Sequence, residues 1–213
     1  MISILTPSIR PLGLEVTQQC LARQTFQDFE WLVEIGIPEK GCDLSAAWNR
    51  MLRRAKGEWI VLLQDYIKIP KDGLERFIRN LEDQSLFTGS VGKASNLKYE
   101  EPEWDWRNYG KTKEVDYMHW EADWAIAPKK AFFDVGGFNE EYDQFWSSEN
   151  VEIAFRMSKI GYKFFVMPNN RAVQYDHDKA FKHPFREKFC PEFHNANLDD
   201  IRMGKKPIKL NYL

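Results

Sequence analysis

Gln64-Asp65-Tyr66 sets one carboxylate at the end of the apolar run Trp59-Ile60-Val61-Leu62-Leu63. Rich in Val and Ile and without alternation, that run suits a strand buried on both faces of a parallel sheet. In open α/β sheets, ligands bind at the carboxyl ends of such strands. Asp65 equally suits a turn before Pro70, and the residues alone leave both readings open. Glu149 and Glu152 lie three apart, so on a helix they share one side. They also suit the first turn of a helix, with Arg156 as an ion-pair partner. Eight tryptophans are a further signal, because five of them, Trp104, Trp106, Trp120, Trp124 and Trp146, cluster after the middle strands. Such rings either fill a core or form a pocket on which sugars or bases stack.

The elements that must position these groups follow from pattern. Apolar runs predict strands over residues 2–6, 29–35, 59–63, 86–91, 122–127 and 162–167, with a short one at 172–175. Helical spacing predicts helices over 12–23, 44–55, 71–81 and 128–135, and one running to Lys159 with Ser147 or Ser148 as its cap. Leu14, Cys20 and Leu21 mark the inward face of the first helix, and Asp43 or Ser45 is available to cap the second. The opening β-α-β-α-β order is that of a doubly wound, right-handed α/β unit. Residues 95–118 are polar, charged and aromatic without a period, and a loop of that length in a compact domain is functional or mobile. The boundary between two halves of one domain therefore falls near Ala94, and the segment from Asp178 onward carries no assigned element.

The chain has 213 residues and a formal net charge of -2. It is long enough for a sizeable core, and the charge argues against a broadly basic nucleic-acid surface. Lys205, Lys206 and Lys209 make only the carboxyl end locally positive. No window approaches the roughly 20 apolar residues of a membrane span, and no signal-peptide layout opens the chain, so a cytoplasmic protein is the simplest expectation. Cys20, Cys42 and Cys190 are too few and too scattered for a disulfide framework or a zinc site, which fits ordinary thiols in a reducing compartment.

Five phrases occur in an order that resembles a known family. They are Ile4-Leu5-Thr6-Pro7 with Arg10-Pro11; Gln24-Thr25-Phe26-Gln27-Asp28-Phe29-Glu30; Leu44-Ser45-Ala46-Ala47-Trp48-Asn49-Arg50; the Gln64-Asp65-Tyr66 site; and Val135-Gly136-Gly137-Phe138-Asn139-Glu140 followed by Trp146 and Glu149-Asn150-Val151-Glu152. From Ile2 to about His177 the chain resembles the family 2 glycosyltransferases. That resemblance implies the GT-A fold, a Rossmann-like doubly wound mixed sheet with flanking helices. It also implies transfer of a sugar from a nucleotide-diphosphate donor to an acceptor hydroxyl, with inversion, as in polysaccharide or glycoconjugate synthesis. Residues 1–94 would then be the nucleotide-sugar-binding half, 95–178 the acceptor-binding and catalytic half, and 179–213 a tail or lid.

The resemblance also implies roles. Asp65 takes the middle place of the family's Asp-x-Asp signature, with Gln64 and Tyr66 in place of the outer acids. A divalent cation, Mn²⁺ or Mg²⁺, would be held by Asp65 and by His177, which follows the last strand where the family often has a histidine; Asp176 and Asp178 are stand-ins for the missing acids. A loop histidine bonded to a neighbouring acid is the plainer reading of His177. Asn150 stands where the family has its aspartate base and has no useful basicity, so the proton falls to Glu149, or else to Glu152. Donor recognition would involve Thr6, Ser8, Arg10, Glu34, Asp43, Asn49, Gln64 and Asp65. Trp48 replaces a frequent arginine, for which Arg50 or Arg53 is a substitute. The acceptor would meet Trp120, Glu121, Asp123 and Trp146, within an aromatic stretch that includes Trp104, Trp106, Tyr109 and Trp124. The losses at Gln64, Tyr66 and Asn150 motivate an alternative, a catalytically silent nucleotide- or carbohydrate-binding module on the same scaffold. An enzyme acting on modified nucleic acid, its lysine-rich tail touching phosphate, is a weaker idea.

Overall fold

A computed structural model describes residues 1–9, 11–36, 43–93, 106–144, 148–174 and 186–213. The chain runs β1 (Ile2–Ser8), α1 (Pro11–Ala22), β2 (Phe29–Ile35), α2 (Leu44–Arg54), β3 (Trp59–Leu63), β4 (Ile67–Lys68), α3 (Gly73–Ile78) and β5 (Ser85–Lys93). It continues through β6 (Lys113–Val115), β7 (Trp124–Pro128), α4 (Lys129–Asp134), α5 (Glu149–Lys159), β8 (Lys163–Gln174) and α6 (Arg186–Arg202). The strands form one mixed sheet in the order β2-β1-β3-β7-β5-β8-β4, with β6 also paired to β8. Strands β1, β2 and β3 are mutually parallel, as are β5 and β8, and β7 runs antiparallel between β3 and β5. The two halves of the chain thus share a single sheet.

Helices cover both faces, which explains the unbroken apolar run of β3. Ile60 and Leu62 face a core with Trp48, Met51 and Leu52 of α2, Phe132 of α4 and Ile153 and Met157 of α5. Val61 and Leu63 face the opposite core, with Leu21 of α1 and Leu74 and Phe77 of α3. Each fully buried side chain of this kind contributes about 1.5–3 kcal/mol. A strand flanked by two such layers has no use for a polar alternate position.

Several expectations need correcting. β8 does not stop at Pro168 but runs through it, because a register shift against β5 between Gly89 and Ser90 lets residues 168–170 bulge out and Arg171 resume the pairing. The region 95–118 is not all loop: β6 and two short 3-10 turns, Trp106–Asn108 and Tyr117–His119, lie in it. A helix, α6, forms where none was expected, seating Leu198 and Ile201 on Phe155 of α5. Ser148 does precede α5, but at φ 69° and without a side-chain capping bond, and Ser147 lies outside the described residues. Asp43 makes no capping bond at α2 either. That helix is capped from afar, by Asp143, whose carboxylate accepts from the backbone N–H of Ser45 (2.6 Å) and Ala46 (3.1 Å).

The carboxyl-terminal segment is fastened to the Gly136-Gly137 turn. Leu210 N–H donates to Val135 O (2.9 Å) and Tyr212 N–H to Gly136 O (3.1 Å). Gly136 has a φ of 74°, and a Cβ there would lie 1.7 Å from Leu210 O, so only glycine admits this approach. Lys205 and Lys206 lie within ion-pair distance of Asp200 and Glu141 respectively.

Candidate active site

The parallel strands end together at one edge of the sheet, and Ser8 and Asp65 meet there. Asp65 is buried, and the Ser8 hydroxyl at the end of β1 donates to its Oδ2 at 2.5 Å. The approach of α1 is equally close: a Cβ on Gly13 would lie 2.6 Å from the Asp65 carbonyl oxygen. The glycine therefore lets the first turn of a helix press on the backbone of the acid. Because β7 is antiparallel, its start shares this edge. Gln64 N–H donates to Asp123 O (3.0 Å), and the Tyr66 hydroxyl donates to Asp123 Oδ1 (3.0 Å). Tyr66 thus recruits an acid from the start of the neighbouring strand. On the other side of Asp65, β4 pairs with the end of β8, Ile67 opposite Gln174. His177, three residues beyond Gln174, lies outside the described residues, as do Arg10 and Trp146.

The two glutamates of α5 separate. Glu152 is fully buried, and its carboxylate is gripped by Arg156 through Nε (2.9 Å) and Nη2 (2.8 Å). Arg156 also donates to Val135 O (2.5 Å) and Gly137 O (2.7 Å). A carboxylate so committed has no reach to an acceptor hydroxyl, which removes Glu152 as a base and assigns it to the fold. Glu149 begins α5 in a half-buried position, directly after left-handed Ser148. Backbone strain of this kind collects at functional sites.

Other expected donor residues also have structural duties. The Thr6 hydroxyl is buried and accepts from Trp31 Nε1 (3.0 Å). Asn49 is buried, donating Nδ2 to Phe138 O and Glu140 Oε1 (2.9 Å each) while its Oδ1 accepts from Phe138 N–H (2.8 Å). Its amide therefore staples α2 to the turn after Gly137 and has no hydrogen-bonding capacity turned toward a donor. Glu34 pairs with Arg54 (2.8 Å) and Arg50 (3.4 Å), and Arg50 also holds Asp43 (2.8 Å), raising the Arg50 pKa. Glu34 and Asp43 belong to a surface ion network at the mouth of the β2 edge. Such exposed pairs exchange partners at little cost.

On the expected acceptor side, Trp120 is a correction: it is fully buried, edge-on to Phe164, and offers no face to a sugar ring. Trp124 is buried too, against Phe77 and over Gly89, where a Cβ would lie 2.0 Å from its ring. Glu121 stays half-exposed and forms a salt bridge with Arg107, while its carbonyl accepts from Thr88 Oγ1 (3.0 Å). Sequence spacing did not single out Arg107, Asp143 or the Tyr66–Asp123 bond, since each acts across a long separation in the chain.

Around Asp65 the donor atoms are oxygens, which is the chemistry hard cations take. One carboxylate with phosphate and water oxygens is a set that Mg²⁺ and Mn²⁺ accept. Among the described residues no three of His, Cys, Asp and Glu converge on one point, and no helix is long and apolar enough to cross a membrane.

No family model and no curated protein matches the sequence. Solved structures do match by shape. S. aureus TarS 1-349 in complex with UDP superposes at a TM-score of 0.62 with 14% identity, over 82% of this chain and 60% of that one. The same protein with UDP-GlcNAc gives 0.63 and 13%, over 83% and 59%. GalNAc-T7 with UDP, GalNAc and Mn²⁺ gives 0.62 and 14%, over 83% and 44%. The chain therefore spans less than two thirds of the structures it matches. At these identities the likeness is one of architecture: the chain has the GT-A fold.

Proposed function

We propose that this protein is a glycosyltransferase that moves a sugar from a nucleotide-diphosphate donor to an acceptor hydroxyl with inversion. The observation that carries the reading is Asp65, a buried carboxylate at the carboxyl edge of a GT-A sheet, braced by Ser8 from β1 and flanked by a Tyr66–Asp123 bond from β7. The structural neighbours that hold UDP, UDP-GlcNAc, or UDP with GalNAc and Mn²⁺ support a nucleotide-sugar as the donor class.

In this reading the acceptor oxygen attacks the anomeric carbon while the bond from that carbon to the diphosphate breaks. Glu149 takes the acceptor proton, and the nucleoside diphosphate departs. A divalent cation, when bound, neutralises charge building on the leaving diphosphate. Asp65 would hold it, with His177 as a further ligand. Ser8 fixes the Asp65 carboxylate, and Asp123, Glu121 and Glu149 line the acceptor side. An unaided positioned base contributes about 10²–10⁴-fold to such a step.

Thermal melting with UDP and Mn²⁺ tests the donor site. Ligand at 100 times its Kd stabilises by about 2.7 kcal/mol, and Asp65→Ala abolishes that shift. Stabilisation by none of the common nucleoside diphosphates would overturn the reading. Asn150, at the place of the usual base, favours a competing reading: a binding module without turnover. Glu149→Gln separates them, since an enzyme keeps the nucleotide-induced shift and loses turnover, whereas a module has no turnover to lose.

A further inference from the structure

Of the tryptophans whose surroundings are described, Trp48, Trp120 and Trp124 are buried in the sheet's two cores and Trp31 and Trp59 pack against one of them, whereas Trp106 is in neither. Its side chain is 50% exposed, with Tyr109 at 59% and Met118 at 55%. These three place exposed apolar surface within one short stretch of chain, in which Val115 and Tyr117 instead pack against the core. The patch is nevertheless built rather than slack. Lys113 Nζ stands 4.7 Å from the centre of the Trp106 ring and donates to the carbonyls of Trp106 (3.3 Å) and Tyr109 (3.5 Å), closing the turn between them. His119 meets Trp106 at 5.0 Å with the ring planes nearly perpendicular.

The patch is also tied to the candidate active site. Arg107, next to Trp106, forms its salt bridge with Glu121, and Glu121 is anchored by Thr88 two residues before Asp123. Asp123 in turn holds Tyr66, the neighbour of Asp65. From the donor carboxylate to the exposed indole the path runs through one ion pair and two hydrogen-bonded strand ends.

We propose that Trp106 and Tyr109 form an acceptor platform, on which a glycan chain lies while its terminal hydroxyl reaches the edge at Asp123. The inference rests on the glycosyltransferase reading above and names its acceptor class as an oligosaccharide rather than a small alcohol. Flat apolar ring faces of sugars stack on aromatic side chains, and with Lys113 over one face of the Trp106 ring the opposite face is the one a sugar meets. A protein partner is a poorer occupant. Among the described residues the exposed apolar surface here comes from a few side chains with charged groups interleaved, unlike the apolar centre of a stable protein interface.

The test uses the full chain on an array of immobilised oligosaccharides, alongside melting with UDP and Mn²⁺. Wild type is expected to retain a subset of the glycans. Trp106→Ala and Tyr109→Ala each weaken that retention about tenfold, the equivalent of about 1.4 kcal/mol, and Trp106→Phe, which keeps a ring, restores most of it. Both alanine variants melt as wild type does and keep the nucleotide-induced shift, as exposed positions away from Asp65 should. Retention of no glycan by wild type, or equal retention by the alanine variants, overturns the platform. Loss of the nucleotide shift in wild type with Trp106-dependent glycan retention intact would sink the donor reading instead, so the two failures are distinguishable.

Discussion

Arg156 and Asp65 are both almost wholly buried charges, and they are held in different ways. Arg156 lies beneath the Gly136-Gly137 turn, and its four hydrogen bonds go to the two oxygens of Glu152 and to the carbonyls of Val135 and Gly137. Backbone that the fold must position anyway completes its shell, so the pair is a strut. Asp65 sits where parallel strands stop, and the bond from Ser8 comes from the end of a neighbouring strand. Two acids buried to the same degree thus differ in what holds them: the guanidinium of Arg156 grips Glu152, whereas the hydroxyl of Ser8 donates to Asp65 at the carboxyl edge of the sheet. Burial alone does not distinguish the two, and the identity of the donors does.

Substitutions at the two places give the sharpest contrast. Glu152→Gln leaves the Arg156 charge buried without its counter-ion, and breaking such a pair costs about 3–5 kcal/mol. For a chain of this size that lowers Tm by on the order of 10 °C, measurable by calorimetry; an unchanged Tm with lost turnover would return Glu152 to the catalytic candidates. Asn49→Ala comes next. It orphans Phe138 N–H and its carbonyl in a buried site, for about 1–3 kcal/mol, and denaturant unfolding should show this at an unchanged m-value. Tyr66→Phe is smaller, near 1 kcal/mol for one hydroxyl, but it removes the bond from Tyr66 to Asp123. A weaker nucleotide-induced shift in that variant would tie Asp123 to the donor site, and an unaltered shift would confine the bond to stability.

The smallest effect concerns α6. Burial, aided by the Arg202 charge and opposed by Glu152, holds the His194 pKa below its usual 6.5. His194 Nδ1 lies 2.9 Å from the Tyr142 hydroxyl, which also accepts from Asn197 Nδ2 (3.3 Å). A histidine whose folded pKa is depressed contributes stability that is present above its unfolded value and lost as pH falls through the folded one. Protection factors of the α6 amides, taken against the intrinsic exchange rate at each pH, should therefore fall as pH drops from about 7 toward 5, and His194→Gln should flatten that dependence.

Much of this was legible in the sequence where local pattern and tertiary role coincide. β2 and β3 fall where the apolar runs predict them, and Asp65 stands out because a doubly buried strand ends abruptly at an acid. α6 was hidden for a physical reason: among its described side chains only Leu198 and Ile201 join an apolar core, and Pro191 interrupts the helical signal. β6 is three residues long, and β8 outlasts Pro168 only because it bulges there and resumes its pairing with β5 at Arg171. The tryptophans could not be sorted into core and surface by spacing, since Trp120 and Trp106 lie in the same aromatic stretch and end up at opposite extremes of exposure. Glu152 was ambiguous until Arg156 was seen to draw on two carbonyls some twenty residues upstream.

The reversed direction of β7 has a consequence for how this scaffold can diversify. A parallel strand in that slot would deliver its preceding loop to the far edge of the sheet, away from Asp65. Running antiparallel, β7 brings the chain before Trp124 to the same edge as Ser8 and Asp65. Insertions or substitutions in the segment ahead of it can then reshape what sits opposite Asp65 while β1 and β3, and the two cores that fix them, stay as they are. In the proposed reading, acceptor range and donor chemistry are then separable traits, each open to change without disturbing the other.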